Sequence, residues 1–262
     1  MADELRKVHV NVPFDMLHET YLDLILEKRL NPEIGLDAGI LDSVPDSMFV
    51  KCAARLAQHG ISVTFHAPFV DLSPGSIDRE IRAATRRRFE QVLRLVPLFR
   101  PRTVVCHAGF EKFRYGYMRK KWIENSLAMW HWFSGRLNDL GSRLVLENVY
   151  ERSPEDILPL FRELSPDNVG FCLDVGHQAV FGDGALGNWL SVLGIYLGHL
   201  HLHDNHGDID SHLALGCGGI DFNPLFEYFR KNPGIRPSIT LEPHVQEDLW
   251  PSISYLETHW PW

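Results

Sequence analysis

The densest run of metal-competent side chains in this 262-residue chain is LGHLHLHDN (197–205), followed by DIDSHLALGCGGIDF (208–222). His199, His201 and His203 alternate, and the side-chain period of a strand is two, so the three share one face. Asp204, Asn205, Asp210 and His212 follow closely. Imidazole and carboxylate gathered where a strand ends form the donor set of a divalent-metal site. Taken alone, the stretch is also compatible with a His-rich loop that binds nothing. The chain holds 14 His, a count that itself asks for a chemical explanation.

Other ionisable residues stand at the ends of apolar, β-rich runs. His66 lies in SVTFHAPF (62–69), His107 in TVVCHAGF (103–110) and Glu147 in RLVLENVY (143–150). Asp174 and His177 lie in VGFCLDVGH (169–177), and Glu242 in SITLEPH (238–244). With KVHVNVPF (7–14), PEIGLDAG (32–39) and the His-rich run, these make eight candidate strands. Helical patterns fill 15–30, 46–59, 76–99, 119–140, 154–164 and 223–231, with a weaker one at 184–195. Strands alternating with helices imply parallel βα units. Eight units in 262 residues predict one α/β domain over 1–262, a single (β/α)8 TIM barrel rather than an open doubly wound sheet. In such barrels the active site sits at the C-terminal strand ends. Six successive strands here close on an ionisable side chain, and buried His and carboxylate are costly unless paired or metal-bound. The two carboxylates of Glu147 and Glu242 can hold a divalent ion or act as acid and base about a substrate carbon.

Bulk properties narrow the partners. A net charge of −8 argues against a general nucleic-acid binder, although bound metals would add local positive charge. The four Cys form no CxxC pair and no small disulfide framework, which fits a reducing compartment. There is no apolar signal core and no run long enough for a membrane span, so the chain reads as soluble and cytoplasmic.

In order, HAP at His66, CHAG at His107, LEN at Glu147, DVGH at Asp174, HLHDN at His201, DSHLALGCGGI from Asp210 and LEP at Glu242 resemble the xylose isomerase-like TIM-barrel superfamily. That superfamily includes sugar and sugar-phosphate isomerases and epimerases and the endonuclease IV type of AP endonuclease. The resemblance covers nearly the whole chain and implies a divalent metal cofactor, one to three ions, zinc or manganese. By resemblance to the isomerases, one ion is held by Glu147, Asp174, His201 and Glu242, and the two Glu exchange a proton on a small-molecule sugar or sugar phosphate. By resemblance to the endonucleases, His66 and His107 hold one ion with shared Glu147. The same four residues hold a second, and His177, Asp210 and His212 hold a third. The first activity is the leading expectation, and a zinc-dependent phosphodiesterase acting on nucleic acid is the alternative.

Further residues are expected around this site. His203 is placed to meet substrate above it, His199 lies deeper in the barrel, and Asp204 is placed to orient His201. The loop EKFRYGYMRKKW (111–122) mixes aromatic and basic residues, and its Arg114 and Tyr115 are candidates to bind phosphate and stack on a sugar or base. Packing on the barrel rim is the alternative for that loop. Asp37 and Asn11 are candidate substrate contacts, and Arg79 and Arg82 candidate phosphate contacts. Strand parity turns Cys106 towards the helices and Cys172 into the barrel.

Overall fold

A computed structural model describes residues 8–164 and 169–260. The strands are β1 (Val8–Pro13), β2 (Asn31–Gly35), β3 (Thr64–His66), β4 (Thr103–His107), β5 (Arg143–Glu147), β6 (Val169–Asp174), β7 (Leu197–Leu202) and β8 (Ser238–Leu241). They pair in chain order and in parallel, and β8 pairs with β1, closing the barrel without an edge. Lys7, the first residue of the expected 7–14 strand, lies outside the described residues. From β2 to β8 each strand stops three or four residues before its expected end. Apolar residues past the last ladder bond, such as Ala67, Ala108, Phe110, Val149 and Val175, are buried without adding to the strands. Register sets the ionisable residues side by side: His107 pairs with Glu147, and Asp174 with His201.

Helices Asp46–Gln58, Arg79–Phe99, Arg119–Asp139 and Asn223–Lys231 lie where the periodicity puts them. The expected 15–30 helix is interrupted by a π-helical turn, Leu17–Tyr21. The weak 184–195 pattern forms Leu186–Leu193, which buries Leu186, Trp189, Leu190 and Leu193, spaced as one helical face. Ala38–Ser43, Val175–Phe181 and Leu249–His259 are among the helices that escape the sequence pattern. The first two begin on carboxylates. Asp37 accepts the Ile40 N–H at 2.7 Å, and Asp174 accepts the His177 N–H at 2.6 Å. Asp37, a candidate substrate contact in the sequence, therefore caps the Ala38–Ser43 helix through Oδ1.

The strands divide their side chains by parity. Phe65, Val104, Cys106, Leu146, Phe171, Leu173 and Leu200 face the helices in one continuous apolar shell. Val105, Val145 and Cys172 pack inside the barrel as a separate dry layer, as parity predicts for Cys172. Near them, Gly170 and Gly198 leave room for Arg143, whose guanidinium a Cβ at either position would approach to about 3.2–3.3 Å. All four cysteines are free. No helix among the described residues is long and apolar enough to cross a membrane.

One loop is organised by a single buried carboxylate. Asp204 accepts the N–H groups of Asn205, Gly216, Gly218 and Ile220 at 2.9–3.1 Å. It also forms an isolated antiparallel bridge with Leu213. A Cβ at Gly218 would stand 2.3 Å from Asp204 Oδ1, so this wrap requires glycine there. The sequence pattern assigns Asp204 to orient His201. Its carboxylate is instead spent on the loop that carries Asp210 and His212. Charge-assisted hydrogen bonds contribute roughly 1.5–3 kcal/mol each, and orphaned buried amides cost a similar amount. Asp204→Ala should therefore lower unfolding free energy in denaturant titration by about 3 kcal/mol or more and open residues 205–220 to limited proteolysis, with Asp204→Asn intermediate.

Candidate metal centre

At the C-terminal face the barrel brings together His66, His107, Glu147, Asp174, His177, His201, Asp210, His212 and Glu242, every metal ligand expected from the sequence. They form contiguous groups whose donor atoms lie within 4.8 Å of one another: His66–His107–Glu147, Glu147–Asp174–His201, Asp174–His203–Glu242 and His177–His203–Asp210–His212. Glu147 joins the first two. Its Oε2 lies 3.1 Å from His66 Nε2 and 3.6 Å from His107 Nε2, and its Oε1 lies 3.2 Å from His177 Nδ1 and 3.3 Å from His201 Nδ1. Glu242 Oε1 approaches His201 Nδ1 to 3.2 Å from another side, and Asp174 Oδ2 is 3.8 Å from the same atom.

Ring tautomers show what these contacts require. A backbone carbonyl can only accept, so the His66 Nδ1–H donates to Ala67 O at 3.0 Å and the His212 Nδ1–H to Glu242 O at 2.9 Å. The His177 Nδ1–H donates to Asn148 O at 3.1 Å. Each ring then turns Nε2 to a carboxylate: His66 to Glu147, and His177 and His212 to Asp210 Oδ2 at 3.2 and 3.3 Å. His201 is the mirror case. Its Nε2 lies 2.9 Å from Glu33 Oε1, so Nδ1 faces Glu147 and Glu242. In the neutral imidazoles a lone pair therefore faces a carboxylate oxygen at about 3.2 Å, four times over. Such an arrangement holds only with a cation between the two acceptors, a second proton or a metal ion. Two ligands about 2.0–2.1 Å from a tetrahedral zinc stand roughly 3.3 Å apart. Both ring nitrogens of His201, His203 Nδ1 and Asp210 Oδ1 are buried without a well-aligned hydrogen bond, and His201 Nε2 meets Glu33 Oε1 as an ion-pair contact at 2.9 Å. The residues fit divalent ions.

Electrostatics agree. Burial opposes the charge on Glu147, but His201, His107 and His177 around it outweigh burial and hold its carboxyl well below the usual range. Asp174 is likewise buried, yet His177 and His203 bring it down to about 2. Burial works against the charged form of His201 and His177, and the surrounding carboxylates reverse it, raising both well above an ordinary imidazole. His66 and His212 are raised in the same way by Glu147 and by Asp210 with Glu242. Burial alone dominates His107, lowered to about 3, and raises Glu242.

Several expected roles are reassigned. His203 is buried, with Nε2 at 3.2 and 3.3 Å from the two oxygens of Asp174, so it supports that ligand and is not open to substrate. Its ring stacks on His212 at 3.7 Å and 5°. Parallel rings cannot both aim an in-plane lone pair at one ion, which leaves His177, Asp210 and His212 as the third group. Gly176 admits that stack, since a Cβ there would fall 1.9 Å from the His203 ring. Tyr115 is buried with its hydroxyl on Ser73 Oγ at 2.8 Å, and exposed Arg114 lies 5.3 Å from the Tyr115 ring centroid. That loop segment thus packs on the rim. Arg82 donates to Ser76 O and Ile77 O, and Arg79 pairs with its neighbour Glu80 in solvent. Phe69, half exposed beside the site, stacks on His107 at 4.2 Å and has no signal in the sequence that singles it out. Glu33 is a second residue that sequence reasoning misses. It ends no apolar run, and only its parity with Asn31 and Gly35 on β2 marks it as inward.

The family model of xylose isomerase-like TIM barrels matches residues 33–258, and the chain belongs to that family. Two uncharacterised proteins of Methanocaldococcus jannaschii are similar in sequence. One is 28% identical over 86% of each chain; the other is 26% identical over 66% of this chain and 62% of its own length. Among solved structures, a Thermus thermophilus protein soaked with zinc chloride is 27% identical, covers 97% of both chains and has a TM-score of 0.82. A D-tagatose 3-epimerase-like protein, 22% identical with a TM-score of 0.80 over 97% of this chain and 96% of its own, shares the fold.

Metal-free protein should show a distinctive pH dependence. His66, His177, His201 and His212 carry raised folded-state values, so their stabilisation is complete below about pH 6.5 and is lost as pH rises through those values. Glu242, also raised, acts in the same direction. Thermal midpoints of chelator-treated protein should therefore fall from about pH 7 to about pH 9, and zinc or manganese should abolish the fall. A flat profile with and without metal would contradict the pairing described.

Proposed function

We propose that this chain is a divalent-metal-dependent enzyme acting on phosphate esters by hydrolysis, with up to three ions in one basin. The observation that carries the reading is the cation deficit at the barrel mouth. Glu33, Glu147, Asp174, Asp210 and Glu242 crowd one region, and every ion-pair partner described for them is an imidazole. A single divalent ion leaves three negative charges to be met by protonated His, and such a basin repels phosphate. Three ions turn the balance to about one positive charge and make it attractive to an anion. The nitrogen-rich first and third groups suit zinc, and the carboxylate-rich second suits zinc or manganese. Bound ions would polarise the phosphoryl oxygens and lower the pKa of water.

The chain's own residues divide the remaining work. Glu147, with both oxygens enclosed by two imidazoles each, spans ligand groups and is poorly placed to move a proton. Glu242 is the carboxyl that burial favours in its protonated form, which suits a proton carrier. Phe69 offers a half-exposed aromatic face at the mouth. With a net charge of −8, a small phosphate ester is a better substrate than duplex DNA.

One observation favours a second reading, a sugar or sugar-phosphate isomerase or epimerase. Glu147 and Glu242 approach His201 Nδ1 to 3.3 and 3.2 Å, so they flank one ion position as a proton-exchanging pair would. Metal analysis separates the two readings when combined with two assays: phosphate release from small esters, and deuterium uptake from D2O into ketoses. The hydrolase reading expects more than one ion per chain. It also expects His212→Ala to lose about one ion together with phosphate release. A single ion, deuterium uptake and an unaffected His212→Ala would establish the isomerase instead, and robust nicking of abasic DNA would make nucleic acid the substrate. Glu242→Gln should lower either activity on the order of 10²–10⁴-fold.

A further inference from the structure

Beneath the ligand layer the barrel holds a second polar layer, and all of its hydrogen bonds point the same way. Glu33 is wholly buried on β2. Its Oε2 accepts the hydroxyls of Thr64 and Thr240, each at 2.9 Å. Thr240, having given its proton to Glu33, accepts from His199 Nε2 at 2.8 Å, and His199 Nδ1 in turn faces the Thr103 hydroxyl at 3.0 Å. Asn11 Nδ2 reaches Glu33 Oε1 at 3.4 Å, and His201 Nε2 lies 2.9 Å from the same oxygen. Protons thus run from β1, β3, β4, β7 and β8 towards one carboxylate. Glu33, His199 and His201 are also close enough to hold an ion. The Glu33 oxygens already face these hydroxyls, the Asn11 amide and the two imidazoles, so the layer is a support and not a further site.

We infer that Glu33 is the positioning residue that fixes the proton of His201 on Nε2 and so keeps Nδ1 bare for the metal. The inference rests on the metal reading above for its consequence, though not for its geometry. A carboxylate set 2.9 Å from the far nitrogen of a ligand imidazole favours the proton on that nitrogen and makes the ring a stronger donor, and losing such a partner typically weakens metal binding by roughly 10–100-fold. Glutamine in its place has one donor too many. If its amide nitrogen faces His201, the ring must carry its proton on Nδ1, where the metal belongs. If the nitrogen faces Thr64 and Thr240, the hydroxyls lose their acceptor.

The test compares wild type with Glu33→Gln and Thr240→Val. The Thr240 variant disturbs the same layer but leaves the His201 contact in place. Zinc competition against a chromogenic chelator should show one class of site weakened roughly 10–100-fold in Glu33→Gln and the remaining sites unchanged. Thr240→Val should lose thermal stability and keep wild-type zinc affinity. Nitrogen-15 NMR of the metal-free proteins, recorded at a pH high enough that His201 carries a single proton, should place that proton on Nε2 in wild type and move or mix it in Glu33→Gln. Should Glu33→Gln fail to fold, the wild-type and Thr240→Val spectra still decide the tautomer. A wild-type His201 with its proton on Nδ1, or unchanged zinc affinity in Glu33→Gln, overturns the inference. Wild type that binds no divalent ion overturns the proposed function instead, and the tautomer measurement remains decisive for Glu33.

Discussion

Five carboxylates gathered at one end of a barrel, most of them fully buried, are the constraint on which the rest of this structure depends. Charge removed from water must be neutralised nearby, and the cost is large where it is not. The chain answers with imidazoles. An imidazole carries one proton when neutral, and here a backbone carbonyl or a carboxylate on the far side of the ring claims it. Ala67, Asn148 and Glu242 supply such carbonyls to His66, His177 and His212. The nitrogens facing inward are then bare, and acceptor meets acceptor at about 3.2 Å. The arrangement is electrostatically unfinished in a way that only cations complete. Protons complete it in the metal-free protein, which is why the same His have raised values.

Precision at the mouth is held from two directions. From below, the barrel ladder fixes His107 beside Glu147 and Asp174 beside His201, and Asn148 locks the Asp174 backbone through both its amide and its carbonyl at 3.0 Å. From above, the loop wound around Asp204 returns Asp210 and His212 over the site. The two supports are joined by imidazole stacking: His203 lies on His212, and His212 lies on His244 at 3.8 Å. Displacing any one of these rings disturbs ligands contributed by β6, by the β7 loop and by the end of β8.

The barrel is legible in the sequence because eight apolar runs alternate with seven helical periods, and most of the ligand residues because they stand at the ends of such runs, whereas Asp210 and His212 lie in the loop after β7 and are marked by the family resemblance. Chemistry and topology reinforce one another there, since a charged residue at the end of a buried strand needs a partner. Supporting residues are less legible, for physical reasons. Asp37 and Asp204 look like site carboxylates in sequence, but an acidic side chain beside free backbone amides satisfies those first. Tyr115 looks available because its loop is polar, yet its ring is buried and its hydroxyl is taken by Ser73. Glu33 is invisible for the opposite reason. It sits mid-strand, where parity alone reveals that it points inward, and its importance comes from β1, β3, β7 and β8, distant in sequence.

The two glutamates that match the family pattern are not equivalent in this chain, and the difference bears on its chemistry. A proton-exchanging pair needs each carboxylate to present one oxygen to the substrate carbon and to be free to gain and lose a proton. Glu242 meets that condition, with some exposure and a carboxyl that burial pushes towards the neutral form. Glu147 does not, because His66, His107, His177 and His201 enclose both of its oxygens. Replacing those inward protons with ions would tighten the enclosure. A carboxylate held in that way would bridge cations, which is the role the proposed hydrolysis of phosphate esters asks of Glu147.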